Sequence, residues 1–376
     1  LLTLIENEII DMLWEGRILK AIAGALLMIV AGTANVLLAS EDGTGHSENS
    51  GHEKFDPGTF IFDHIGDSYD WHIIDIGDRP VSIPLPVILF SKEKGLVVFM
   101  SSKLEHGHAS FRGFHLETEG ENKGKIIETL SDGSEVIPFD VSITKNIAAL
   151  FFSIILILFI FIYVGNAYKK RPNQPPKGLQ SLLEPVILFI RDEVAKPSIG
   201  EKKYEPFMPF LLTVFFFIWI NNMLGLIPIF PGGANVTGNI AVTMVLAFFT
   251  FMITTIKGNK NYWKHIFNTP GVPFWLKLPL PIMPMVETIG IFTKPIVLMI
   301  RLFANITAGH IIVLGFLSLI FLFGEIQPLL GYSVSVVSVL FIMFMTLLEL
   351  LVAFIQAYVF TFLSALYFGM AVEDHH

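Results

Sequence analysis

Glu287, Lys294, Arg301 and His310 all fall inside one otherwise almost wholly apolar run, residues 281–323. An arginine well inside an apolar membrane helix costs about 2.5 to 3.5 kcal/mol on insertion scales, and such groups by default mark an ion path or a paired site. Guanidinium stays protonated at any physiological pH, so Arg301 can serve only as a fixed charge. Imidazole titrates near neutrality and a desolvated carboxyl can be raised toward it, so His310 with an acid at its depth can pass a proton. At about 100° per residue, Glu287, Lys294 and Arg301 share one helical face, which Ala304, Asn305, Ala308 and Gly315 continue. Small residues on a membrane helix let another helix come close. His310 stands about 180° around from Arg301 and faces another compartment or partner.

The elements that must position these groups follow from length. At about 1.5 Å per residue the run spans on the order of 60 Å, about twice the hydrocarbon thickness of a bilayer, so it must tilt, bend or project. Pro295 is the expected bend. A second apolar leg, residues 332–370, holds one formally charged residue, Glu349, with Gln356 on the same face. The break at 324–331 contains Pro328. Folding the legs antiparallel about residue 328 sets Arg301 level with Gln356 and His310 level with Glu349. Arg301 and Lys294 also suit snorkelling cations that flank a shorter span, and His310 with Glu349 a structural pair within a bundle. Two polar pairs agreeing with one turn favour a hairpin with an Arg/Gln level and a His/Glu level.

The run Arg301-Leu-Phe-Ala-Asn305-Ile-Thr-Ala-Gly-His310 resembles the signature of subunit a of the F-type ATP synthase, the stator half of a membrane motor. Glu287-Thr-Ile-Gly-Ile-Phe-Thr-Lys294-Pro295 is similar to that family's entry to the same helix, and Gln356 falls where the family keeps a glutamine opposite its arginine. Arg191-Asp-Glu, Asn221-Asn222 and Gly225-Leu-Ile-Pro228 share the likeness, which spans roughly residues 146–370. The resemblance implies two half-channels that reach a rotor ring of subunit c at different positions, with Arg301 between them. It implies that His310 and Glu349 relay protons on the outer side, that Gln356 and Asn305 orient Arg301, and that Glu287 lines the inner exit. It also implies a peripheral-stalk subunit b, the rest of the complex and the lipid bilayer as partners, with no cofactor and no metal. An acid often found near Gly225 in bacterial members is absent. Asn221, Asn222 and Asn239 are left as polar candidates for the half-channel, or as helix-to-helix hydrogen bonds. The acid and histidine stand in the mitochondrial-like arrangement rather than exchanged between the two levels.

Composition agrees on the class. With 53% hydrophobic residues, only 15% charged and a mean hydropathy of +0.63, the chain reads as a polytopic membrane protein rather than a soluble enzyme. A net charge of -8 argues against nucleic-acid binding. The absence of cysteine excludes disulfides and thiolate chemistry. No Gly-x-x-x-x-Gly-Lys-Ser/Thr loop occurs, so the chain itself should not make ATP.

Along the chain, residues 1–40 read as an extension, with Met12 a candidate start, and a secretory signal peptide: Arg17 and Lys20, an apolar run 21–38, then Ala39-Ser40. An uncleaved anchor helix is the alternative. Residues 41–144 read as a small β-rich extramembrane insert, with strand-like runs at 81–90, 95–101, 109–118 and 125–130 and a turn at 131–133. Its histidines, His106 and His108 among them, suit solvated side chains better than a metal site, given no cysteine and no helical His-x-x-x-His spacing. Residues 145–376 form the membrane part. Spans are predicted at 145–168, 207–229 and 239–256 before the hairpin, with an amphipathic surface helix over 179–194. Lys169-Lys170-Arg171 after the first span, and Lys257, Lys260, Lys264 and Lys277 after the third, belong on the inside. The insert is then periplasmic and the C-terminus cytoplasmic, in a bacterial inner membrane. The expected fold is all-α and polytopic, about five membrane helices including a long tilted C-terminal hairpin, plus the insert. A secondary proton-coupled transporter would show internal repeats, and none is visible. An anchor for the insert leaves the intramembrane charges unexplained. Proton and sodium versions of the motor both fit.

Overall fold

The computed structural model describes residues 55–76, 79–118, 120, 122–170, 174–227, 230–267 and 282–373. The predicted extension and signal segment, Lys277 and the last three residues lie outside the described residues.

Asp56 caps helix α1 (Pro57–Ile65): its carboxylate accepts the N–H of Gly58 at 3.1 Å and of Thr59 at 3.0 Å, with proline in the first turn. Short alternating runs then become strands, because a period of two puts one set of side chains on a core face. Strands β1 (Asp70–Ile76) and β2 (Arg79–Pro84) form a hairpin. Strands β3 (Pro86–Ser91), β4 (Gly95–Met100), β5 (Phe114–Leu116), β6 (Ile126–Thr129), β7 (Glu135–Val136) and β8 (Phe139–Asp140) make two antiparallel sheets, ordered β4-β3-β8 and β5-β6-β7. Val87, Leu89, Val97 and Phe99 from the first sheet meet Phe114 and Ile126 from the second. Glu128, buried in this unit, is satisfied by Lys94 Nζ at 3.1 Å and the Ser91 hydroxyl at 2.7 Å.

Apolar stretches long enough to span a bilayer form the rest. Helix α2 (Lys145–Lys170) ends on Lys169 and Lys170, where cations suit the helix C-terminus. Helix α3 (Leu179–Phe189) runs through a π-helical turn, Ile190–Ala195, into α4 (Lys196–Ile199). The end of this element sinks into the bundle, with Ile190, Val194 and Ala195 fully buried, while Leu179 and Leu182 toward its start stay exposed at 40% and 62%. Arg191 is buried there too, forked onto Asp192 through two bonds of 3.0 Å, and the guanidinium holds that carboxyl below its ordinary range. Helix α5 (Met208–Leu226) is the most enclosed, and α6 (Ile240–Lys257) starts on an Asn239 cap and is followed by α7 (Lys260–Phe267).

Helices α8 (Ile282–Ile326) and α9 (Pro328–Val372) have 45 residues each, so each is roughly 65 to 70 Å long. Against a hydrocarbon core of about 30 Å both must cross at a slant. The hairpin breaks at Gln327, where the backbone turns extended and Pro328 opens the next helix. Its register is antiparallel and constant: Gly331 lies on Gly324, Phe316 stacks on Phe341 at 5.0 Å, and the Glu349 carboxylate packs over Gly309.

The bundle therefore has two ends. At one, the β-rich segment packs Trp71 edge-on against Phe230 and Phe55 against Phe321, at 5.0 and 5.4 Å. At the other, Asn259 N–H donates to the Ala371 carbonyl at 2.9 Å and Lys203 Nζ to Val372 at 2.7 Å. Gly369 passes so close to α4 that a Cβ there would collide with the Ser198 carbonyl. Gly369→Ala should therefore destabilise the fold by about 1–3 kcal/mol, whereas Gly165→Ala, with open space around it, should be neutral or stabilising. Melting of the two variants in detergent checks this, and equal midpoints would contradict the close approach.

Candidate functional site

Arg301 sits on α8 with its side chain exposed, and Ala304, Asn305 and Ala308 on the same face are exposed as well. Leu298 and Leu302, each 1% exposed, lie on the adjoining flank of the helix and bind α8 to the bundle. A fixed cation thus stands on an uncovered, small-sided face of an apolar helix. Gln356, on α9, is 6% exposed, and the hairpin register places it at the depth of Arg301. Tyr367, farther along α9, lies within electrostatic range of the Arg301 charge.

Toward the C-terminal end, Lys294 Nζ lies 5.6 Å from the centre of the Tyr367 ring and 3.8 Å from Met370 Sδ. Thr250, Thr254, Tyr262, Lys294 and Tyr367 line a crevice between α6, α7, α8 and α9. Glu287 is within electrostatic range of Lys294 and Tyr262. Burial and then the Glu287 charge push the Tyr262 hydroxyl above its ordinary range. Glu287 came from the sequence. Tyr262, Thr250 and Tyr367 did not, although three hydroxyls near a helix end with Lys260 and Lys264 were a readable signal.

Toward the β-segment end, the His310 ring turns to α5, its Nε2 3.6 Å from where a Cβ on Gly225 would stand. The glycine leaves room for the ring at the place where the sequence lacks an acid. Glu349 points elsewhere, over Gly309, and its Oε1 is buried with no hydrogen-bond partner among the described residues. An unpaired buried acceptor costs about 1–3 kcal/mol unless water or a proton reaches it. His310 and Glu349 thus share a level on the hairpin but are not joined by a hydrogen bond among the described residues, so a proton passing between them needs intervening water.

The three asparagines divide. Asn222 donates to the Ala353 carbonyl at 3.2 Å and accepts from Thr237, which ties α5 to α9 and to the turn before α6. Asn239 caps α6. Asn221 donates to Phe217 at 2.8 Å, but its Oδ1 is buried and unpartnered among the described residues, which leaves it open to water. Lys145, at the start of α2, lies within electrostatic range of His310.

Comparison with known proteins gives the same picture. Residues 147–369 match the family model described as ATP synthase A chain, and residues 60–145 match a separate domain of unknown function. The chain is 47% identical over 249 residues to "ATP synthase subunit a" of Chloroherpeton thalassium, covering 64% of this chain and 70% of that one. It is 47% identical over 251 residues to "ATP synthase subunit a 2" of Chlorobaculum tepidum, covering 64% and 67%. With "ATP synthase subunit a" of Myxococcus xanthus it shares 44% identity over 259 residues, covering 67% and 79%.

Proposed function

Since the chain belongs to the family of subunit a of the F-type ATP synthase, a multi-pass component of that enzyme's membrane sector, we propose that it is the stator of a proton motor, with Arg301 as the fixed charge between two half-channels. The observation that carries this reading is the uncovered guanidinium on the small-sided face of α8. A cation left open on an apolar helix needs an anionic partner at its depth, and a ring of helical hairpins bearing mid-membrane carboxylates supplies one. The rotor ring of subunit c packs on Ala304, Asn305 and Ala308, and subunit b of the peripheral stalk holds the chain still against the torque.

On the outer side, water reaches His310 and Glu349 past the open oxygen of Asn221. On the inner side, protons leave along the crevice past Tyr262 to Glu287. Arg301 favours the ionised form of each passing ring carboxylate and blocks direct passage between the two paths, while Gln356 and Asn305 hold its orientation. Each proton releases about 2.3 kcal/mol per 100 mV of membrane potential, so several must pass per ATP. The chain needs no catalytic site of its own. The lysines that close α2 and α6 support a cytoplasmic C-terminal end and a periplasmic β-rich segment in a bacterial inner membrane. In this reading the chain divides into an extension with signal peptide (1–40), a periplasmic insert (41–144) and the membrane domain (145–376).

Because the chain contains no cysteine, single introduced thiols give a clean test. Ala304→Cys should form a disulfide with a cysteine placed on the ring's outer helix, and Phe159→Cys, on the lipid-facing side of α2 at 66% exposure, should not. Cross-linking at 159 but not 304 would put the ring on the wrong side. ATP-driven acidification of inverted vesicles should persist without sodium and collapse with an uncoupler. Sodium-dependent pumping would keep the stator and change the ion.

A further inference from the structure

We propose that the outward face of the β4-β3-β8 sheet is the contact through which two copies of this chain, each in its own complex, pair in one membrane. The proposal goes beyond the motor reading and does not rest on the proton path.

Alternation along the strands turns Val87, Leu89, Val97 and Phe99 inward, into the core shared with the second sheet. The residues between them point outward in three rows. Pairing sets Phe90 beside Leu96 and Phe139, Ile88 beside Val98, and Pro86 beside Met100. The Val141 N–H donates to the Ile88 carbonyl at 2.9 Å and the Ile143 N–H to the Pro86 carbonyl at 3.0 Å, which adds Val141 to the second row and Ile143 to the third. All nine outward positions are apolar. An antiparallel sheet with one face on a core ordinarily turns a polar face to water, and this one breaks that pattern at every position.

The surface is large. Phe90, Leu96, Val98, Met100, Phe139 and Val141 are all exposed, and together they leave roughly 600 Å² of apolar surface open. That is the top of the range for a soluble monomer and approaches the area, about 800 Å², that each partner gives to a stable pair. Val136 and Ile137, exposed just before β8, extend it.

The chemistry of the face selects a second copy as its occupant. Its nine residues include no lysine, arginine, tryptophan or tyrosine, the side chains that seat a surface among lipid headgroups. An uncharged face is instead its own complement, because a two-fold lays apolar rows on apolar rows. The sheet is joined to the membrane part without a linker. Its ladder carries β8 through Ile143, and α2 begins at Lys145, whose N–H donates to the Ser68 carbonyl at 2.8 Å. Two such chains in one bilayer keep the same outer side, so a closed pair requires a two-fold along the membrane normal, which brings equal depths together. Lys92 and Glu93, both exposed at the β3-β4 turn, then meet their counterparts with both signs of charge on each side, as the polar rim of an apolar contact.

Because the chain has no cysteine, Val98→Cys, at 59% exposure, places a single thiol on this face of the intact complex in native membranes. A bismaleimide of about 10 Å reach, the spacing of two stacked sheets, should link it into a product of twice the chain's mass. The yield should be about tenfold or more above that from Asp132→Cys, on an exposed turn of the other sheet. Leu96→Lys combined with Met100→Lys should remove the product from the Val98→Cys chain while ATP-driven pumping stays at the wild-type rate, which shows that chain and complex still assemble. Equal yields from positions 98 and 132 indicate chance collision and overturn the proposal, as does a product that survives the two lysines. A product of another mass overturns it by identifying a different subunit on the face. Absence of any product overturns it too, and the reason is then read from labelling at position 98. Reaction with a water-soluble maleimide means an open face, and protection means that the bilayer or another segment of the chain covers it. If Arg301→Ala still pumps, the motor reading fails and the pairing is untouched.

Discussion

Arg301→Ala is expected to abolish ATP-driven acidification and ATP synthesis, a loss of at least about a hundredfold, or about 2.7 kcal/mol or more in the coupled step, with the complex still assembled. Assembly should survive because the side chain is exposed on this chain, while the packing on that turn of α8 is done by Leu298 and Leu302. Coupling should not survive, because the next cation on that face, Lys294, stands two helical turns away beside Tyr367 and cannot replace the guanidinium at its depth. Without the guanidinium the carboxylate stays protonated in its desolvated setting, and the two water paths lose their electrostatic partition. Arg301→Lys separates charge from shape. A point charge on a flexible stem retains the attraction but not the planar fork that Gln356 and Asn305 would orient, so partial pumping with a raised proton leak is expected. Normal pumping by the alanine variant would sink the mechanism and return the secondary-transporter reading.

Glu349→Gln is expected to lower synthesis by tenfold or more without loss of assembly. The substitution keeps size and hydrogen-bonding capacity but removes the group that accepts and releases a proton, at a site where Oε1 has no partner to satisfy among the described residues. The effect should be greatest when the outer compartment is the proton source. His310→Ala should act in the same direction, with its loss varying across pH 6 to 9 as imidazole chemistry requires. Full synthesis by Glu349→Gln would mean that water alone carries the proton past this level, and Glu349 would then be a packing residue over Gly309.

What could be read from the sequence was whatever has a local physical signature. Long apolar runs must satisfy every backbone group within themselves, so the membrane helices followed from hydropathy. The hairpin register followed because two polar pairs share one midpoint, and the structure turns at Gln327, within the predicted break. Alternation of apolar and polar residues marked β4, β5 and β6 and the run that splits into β2 and β3, but not β1, β7 or β8. Helix α1 was missed although Asp56-Pro57 is an N-cap followed by a first-turn proline, because a nine-residue helix carries too little periodicity to stand out beside strands.

The tertiary structure decided what depends on rotation about a helix and on contacts between distant segments. Register sets His310 and Glu349 at one depth, but packing against Gly225 on one side and Gly309 on the other turns their side chains apart. Asn222 and Asn239 look alike as polar residues of a path, yet the fold gives one a bond between helices and the other a cap, and only Asn221 keeps an open oxygen. The seat of the β-rich segment on the helical bundle is set by Trp71 on Phe230, Phe55 on Phe321 and Asp67 at the start of α2. Each joins segments far apart along the chain, and a contact of that kind leaves no period or spacing in the sequence from which to read it.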